Sequence, residues 1–208
     1  VTSIAVVGAD DDVVRVRARG GKDIDNMDPA HHIGNKEYNI NLAIYSRLMR
    51  YKPGSKELTL DAAESIDVSE DGTVITFKLK EGIQFHKGYG EMTAEDVKFS
   101  YERIIDPEEK SEMKFEWETL DHVEVTGEYS GKIILTEPLA SLWTTTIPYS
   151  SGAIISKKAY EELGDRFSTS PIGSGPYYWK DWQPNQKILL ARFEDYFGEL
   201  PDFERIEI

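Results

Sequence analysis

The sequence predicts a mixed α+β fold. Three observations carry this: two β-hairpin signals in the middle of the chain, three helix starts with recognisable caps, and no regular strand–helix–strand alternation. The first hairpin lies in "ESIDVSEDGTVITFKLK", where Asp71-Gly72 supplies a turn tolerant of positive φ and Ile75, Phe77 and Leu79 alternate with Val74, Thr76 and Lys78. The second lies in "HVEVTGEYSGKIILTE", around Gly127–Gly131. No internal repeat or low-complexity segment interrupts the chain.

In chain order, Val13–Ala18 alternates apolar and basic residues and predicts a short strand. The stretch "GGKDIDNMDPAHHIGN" predicts a long loop, and Asn35 is placed to cap a helix carrying Tyr38, Leu42, Tyr45 and Met49 on one face. Lys52–Glu57 is a turn-rich boundary. Thr93 and Asp96 have the spacing of a capping box, and the helix they open buries Val97, Tyr101, Ile104 and Ile105 before Asp106-Pro107 ends it. Pro138 is expected to open a helix holding Leu139, Leu142, Trp143 and Ile147. Ser156 and Gly164 bracket a short helix as N-cap and stop. The final signal is a pair of strands about Gln183–Gln186.

Composition excludes several function classes. With 24 Lys+Arg against 38 Asp+Glu, the formal net charge is −14, which disfavours a nucleic-acid partner needing a basic face. Cysteine is absent, which removes a disulfide framework, a thiolate nucleophile and a cysteine zinc site. There is no run of 18 apolar residues to span a bilayer. The chain opens on Val1 without a charged-then-apolar leader, so the expectation is a removed leader or a cut chain. No G-x-S-x-G elbow, H-E-x-x-H pair or Walker loop is present, and the reading is a non-enzyme without cofactor. Adjacent His31 and His32 point opposite ways in extended chain, so no metal site is assigned to them. Asp10-Asp11-Asp12 lacks the rest of a calcium loop and reads as a solvated turn.

The stretch "FKLKEGIQFHKGYGEMTAEDVKFSYERIIDP" closely follows a longer pattern. It resembles the signature of the extracellular solute-binding proteins of peptide/nickel-type ABC importers, roughly F-x-L-R-x-G-V-x-F-H-D-G-x-P-x-T-A-x-D-V-x-[FY]-S-x-x-R followed by Asp-Pro. Lys87 stands for the usual Asp, and the turn is one residue longer at Tyr89-Gly90-Glu91. Three further pieces resemble the family in the same order: "NMDPAHH" with "NLAIYSRLMRY", "ILTEPLASLWTTTIPYSSGAIISKKAYEELG", and "PIGSGPYYWKDWQPNQKILLARFEDYFGELPDFERIEI". In the last, Ser174 replaces Thr and Phe197 replaces Trp.

The resemblance implies one lobe of a two-lobe periplasmic-binding-protein-like clamp, with the second lobe absent from this chain and the chain read as an N-terminal portion. On this reading, residues 1–46 and 161–208 share one mixed sheet as the lobe core, and residues 47–160 form an inserted, hairpin-rich subdomain. It implies a monomer, periplasmic or attached to the cell surface, that captures a peptide or similar small solute and delivers it to membrane permease subunits. Nickel chelates, oligosaccharides and opine-like compounds are the other ligand classes.

The substrate-binding candidates are the loop residues His31, His32, Ile33 and Gly34, the aromatic Trp117, the stretch Tyr149, Ser150 and Ser151, and Ser174. Each also has a plain structural reading: surface loop, core ring, ordinary turn, and tight backbone passage near a hinge for Gly173-Ser174-Gly175-Pro176. Two rival functions use the same residues differently. One is a carboxylate-dependent glycoside hydrolase, for which no pair among the 38 carboxylates stands out. The other is a stand-alone interaction module.

Overall fold

A computed structural model describes residues 5–10, 12–17, 23–31 and 34–208. Strands β1 (Ala5–Asp10) and β2 (Val13–Arg17) form an antiparallel hairpin. Helix α1 (Asn35–Ile44) follows, then the small hairpin β3 (Met49–Tyr51) and β4 (Leu58–Leu60), closed by the 52–57 turn. Strands β5 (Ala63–Val68) and β6 (Val74–Leu79) make the first expected hairpin. Helix α2 (Ala94–Ile105) leads to the second, β7 (Leu120–Gly127) and β8 (Ser130–Leu135). Helix α3 (Lys157–Leu163) precedes β9 (Tyr177–Gln183), β10 (Lys187–Arg192) and β11 (Arg205–Glu207).

The two hairpins combine into a four-stranded antiparallel sheet, β5-β6-β8-β7, with α2 packed on β7. The chain's two ends build a second sheet, β1-β2-β11-β10-β9. In it β11 lies parallel to β2 and antiparallel to β10, so Val13–Arg17 and Lys187–Arg192 belong to one sheet. One hydrophobic cluster runs beneath both sheets, from Ile24 and Met27 through Phe77, Val97 and Trp117 to Leu190. None of the described helices is long and apolar enough to cross a membrane.

The local signals explain most element ends. The backbone N–H of Thr93 donates to Asp96 Oδ2 at 2.9 Å, completing the capping box, and Asp96 Oδ1 accepts from the Lys157 N–H at 3.0 Å. One carboxylate therefore starts α2 and anchors the start of α3. Ser156 caps α3 through Ala159 N–H, and Gly164 ends it at φ 53°.

Two expectations shift. Gly34, not Asn35, is the N-cap of α1; its backbone is extended and no side chain caps it, while a Glu37 carboxylate oxygen lies where a Gly34 Cβ would stand. The helix also stops at Ile44, so Tyr45 is its C-cap and Met49 belongs to β3. Pro138 opens no full helix: a single 3₁₀ turn, Ala140–Trp143, is followed by turns, although Leu142 and Ile147 are buried as expected. The hydroxyl of Thr145 bonds back to the Ser141 carbonyl at 2.9 Å, and Pro148 disfavours helical backbone at Ile147.

Candidate functional site

The chain's signature segment is a backbone clamp. Lys87, Gly88 and Gly90 all take positive φ, which folds the chain tightly after β6 and brings Phe85 N–H to the Gly90 carbonyl at 2.8 Å. His86 is fully buried beneath that turn. Its Nδ1 accepts from Gly173 N–H at 3.3 Å, which leaves Nε2–H to donate to the Gly175 carbonyl at 2.9 Å. Its own N–H reaches the Gly173 carbonyl at 2.8 Å. Burial pushes the imidazole pKa down to about 4, against the pull of the Gly175 hydrogen bond. His86 is therefore a neutral ring that fixes the 173–175 backbone.

That backbone in turn closes α1. Gly175 N–H donates to the Ile44 carbonyl at 2.7 Å, satisfying a helix-end acceptor. The approach is too close for any side chain: a Cβ on Gly173 would lie 2.1 Å from the Ile44 oxygen, and one on Gly175 would lie 2.6 Å from the Ala43 oxygen. Ser174 between them is fully buried, its carbonyl accepting from Ser46 Oγ at 3.1 Å. The tight-passage reading describes this loop, and the Ser174 side chain does not reach a surface.

Beside this junction lies a cavity of about 620 Å³, within the usual range for small-ligand sites. Tyr38, Tyr51, Tyr149 and Tyr196 supply aromatic wall; Arg47, Arg50 and Asp61 supply charge. The Tyr38 and Tyr149 rings stack with centroids 5.1 Å apart at 17°, and Tyr51 meets Tyr149 edge-on at 5.8 Å. Arg47 is buried; its Nε donates to the Tyr149 carbonyl at 2.7 Å and its Nη1 to the Tyr45 carbonyl at 2.9 Å. Asp61, also buried, accepts the Arg47 N–H at 2.9 Å and lies 3.6 Å from Arg50 Nε. Burial raises the Asp61 carboxyl and lowers the Arg47 guanidinium; the amide bond and the neighbouring cations oppose the rise at Asp61, and Asp61 opposes the fall at Arg47.

The stretch after Pro148 is held from within. Its carbonyls at Tyr149, Ser151 and Gly152 accept from Arg47, from Trp117 Nε1 at 3.2 Å and from Tyr101 Oη at 3.3 Å. This turns the Tyr149 ring into the cavity, while Ser150 and Ser151 are buried. Ser151 Oγ bonds a Glu116 carboxylate oxygen, whose carboxyl burial pushes up. Trp117 is 1% exposed and stacks on Tyr101 at 4.3 Å, so it is a core ring and not a cleft-facing one. Phe115, two residues earlier, is the exposed ring at 67%.

His31 lies elsewhere, in a polar knot. Its Nε2 meets Glu109 at 2.8 Å and its Nδ1 meets Glu112 at 3.1 Å, an arrangement that wants both nitrogens protonated. Burial pulls its pKa down, but Glu109, Asp28 and Glu112 outweigh that, and the net direction is up. Ser111 Oγ donates to the Ala30 carbonyl at 2.6 Å, so the loop is tied to the 109–112 turn. Asp28, His31 and Glu109 offer ligand atoms within 4.8 Å of one another, enough to hold a metal ion. Arg103 already occupies both Asp28 oxygens and one Glu109 oxygen, so an ion would have to displace it. His32 and Ile33 lie outside the described residues.

Of the predicted residues that the structure describes, Tyr149 alone lines the cavity. Tyr38, Arg47, Arg50 and Tyr196 were not among the candidate site residues; Tyr38 was read only as part of a helix face. Arg47 and Arg50, spaced i,i+3 in "YSRLMRY", carry the nearest signal: two cations amid apolar residues in an acidic chain.

Residues 57–208 match the family of bacterial extracellular solute-binding proteins, family 5. The chain belongs to that family. It is 27% identical over 206 residues to di/tripeptide-binding protein 2 of Pseudomonas aeruginosa, covering 88% of this chain and 38% of that one. Among solved structures it resembles MoaA of A. tumefaciens in complex with mannopinic acid, at TM-score 0.84 and 33% identity over 89% of this chain and 38% of that one. It also resembles DppA of Helicobacter pylori in complex with the peptide STSA, at TM-score 0.82 and 29% identity over 90% of this chain and 40% of that one. This family-5 chain thus spans well under half the length of these relatives. Its fold is that of a periplasmic-binding-protein lobe, and the relatives are solute-binding proteins.

Proposed function

We propose that this chain is part of the solute-capture component of an ABC importer, working outside the cytoplasmic membrane and passing its cargo to membrane permease subunits. Family membership over residues 57–208, with relatives that bind di- and tripeptides, carries this reading. The cargo is a peptide or a similar small organic solute. Capture requires a wall with aromatic surface and a few fixed polar groups, and the Tyr149 cavity supplies one. A second wall, from a further lobe, closes over the solute by hinge motion. No covalent step is needed, and none is proposed.

The strand placement supports a division of the lobe, with residues 1–46 and 161–208 as the core around the mixed sheet and residues 47–160 as an insertion around the antiparallel sheet. The protein works as a monomer. Native mass spectrometry of the protein, expressed from its natural reading frame and purified without refolding, tests the reading. A small organic solute should travel with it. A protein that arrives empty, and that turns over glycosides, would replace this reading with the carboxylate-hydrolase one.

A further inference from the structure

The Tyr149 cavity carries more positive charge than its surroundings cancel. Arg47, Arg50, Lys52 and Lys56 line it, against the single carboxylate Asp61 among its described lining residues. Lys80 Nζ also reaches the Asp61 carbonyl, at 2.6 Å. Lys52 is paired with Glu57 at 2.6 Å on an exposed turn, where solvent screens the pair. The two arginines are different. The Arg47 hydrogen bonds to Tyr149 and Tyr45 go to neutral carbonyls, which orient its charge without cancelling it. Its Nη2, like Arg50 Nε, is buried with no hydrogen-bond partner. Arg50 sits 3.6 Å from Asp61 and 3.4 Å from the Tyr196 hydroxyl, both loose contacts, and its side chain is 44% exposed. Two guanidiniums therefore share one carboxylate, in a chain whose formal charge is −14.

Charge of the opposite sign to the whole molecule has a local purpose. Beyond roughly 8–10 Å the overall field is screened at physiological salt, so a solute in the cavity feels the arginines first. An exposed guanidinium edge matches a carboxylate through paired N–H donors. The stacked Tyr38–Tyr149 rings and the Tyr51 edge give the adjoining wall a flat apolar face.

We propose that this cavity is an anion subsite that receives the carboxylate of an organic solute, with Arg50 as the direct contact and Arg47 as a fixed charge behind the Tyr149 backbone. The solute's body lies along the tyrosine wall. This inference rests on the solute-capture reading and deepens it by naming the group recognised.

The test uses the protein from its natural reading frame and matched pairs of probes differing only in charge: the dipeptide Ala-Phe against its C-terminal amide, and hippurate against hippuramide. Isothermal titration should give acids at least about tenfold tighter than amides, the usual scale for one charge-assisted hydrogen bond. Arg50→Gln should abolish that preference and leave amide binding and the melting temperature near those of the parent; Arg50→Lys should restore part of it. Amides binding as well as acids, or an unchanged preference in Arg50→Gln, would remove the subsite and leave solute capture standing. Inorganic phosphate displacing the acids at equal concentration would show a general anion site and overturn the carboxylate assignment. Binding of no member of either pair would count against the subsite and the capture reading together.

Discussion

Arg103 grips Asp28 with both Nη atoms, Nη1 at 2.9 Å from Oδ2 and Nη2 on Oδ1, and each side chain is only 6% exposed. The pair ties α2 to the loop before α1. Arg103 also reaches Glu109 at 3.1 Å and lies 4.8 Å from the centroid of the Tyr160 ring, whose hydroxyl donates to Glu109.

Arg103→Met should therefore cost about 3–5 kcal/mol, because it leaves a buried carboxylate without its partner. Urea unfolding measures this. Replacing Asp28 with Leu in the same chain should recover much of the loss, since no buried charge then stands alone. A single-variant loss below about 1 kcal/mol would show the pair to be solvated.

His86 makes stability fall with acid. The folded imidazole titrates at about 4, below its ordinary value of 6.5, so the folded state binds fewer protons than the unfolded state between those values. The contribution is complete above about pH 6.5 and is lost as pH falls toward 4, by up to about 3 kcal/mol at 1.36 kcal/mol per pH unit. His86→Gln should lower stability at neutral pH and flatten this part of the acid limb. Chemical denaturation of both proteins across that window decides it; parallel limbs would contradict the neutral buried ring.

His31 runs the other way. Its pKa is raised by the carboxylates around it, so its contribution is present below about 6.5 and fades as pH climbs through the higher folded value. His31→Asn should cost stability at pH 6 and little at pH 9, read from melting curves at the two conditions. Equal losses at both would mean that hydrogen bonding, not charge, holds the loop.

Gly173→Ala should destabilise by about 1–3 kcal/mol, the scale of overpacking, because the new methyl meets a helix carbonyl that cannot rotate away. Gly82→Ala makes a contrast: its Cβ would find open space, and only its positive φ opposes it, by about 1 kcal/mol. Reversal of that order in thermal melts would place the strain at the turn and not at the helix end.

Local grammar was readable wherever a few neighbouring residues decide the outcome. Asp71-Gly72, the Thr93–Asp96 box and the Ser156–Gly164 bracket all form as their spacing predicts. The Pro138 helix is cut to a single 3₁₀ turn ahead of Pro148, whose bias against helical backbone at the residue before it is visible in the sequence only as a weak signal. The candidate site was harder to see. Tyr149 was a candidate and lines the cavity, but Arg47 enters the cavity wall because the chain turns extended after Ile44 and brings its amide to Asp61, a meeting no periodicity encodes. Trp117 carried two readings, a core ring or a cleft-facing one, and only Tyr101, sixteen residues earlier and stacked against it, decides for the core.

The parallel seating of β11 between β2 and β10 sets an order of events during synthesis. Until Arg205–Glu207 emerge from the ribosome, the β1–β2 hairpin has no edge to join. It must wait for roughly 190 further residues, about 10–40 s at ordinary elongation rates, while the antiparallel sheet of the middle segment can already assemble. During that interval both edges of the early hairpin stand unpaired, open to capture by a neighbouring nascent chain or by a chaperone.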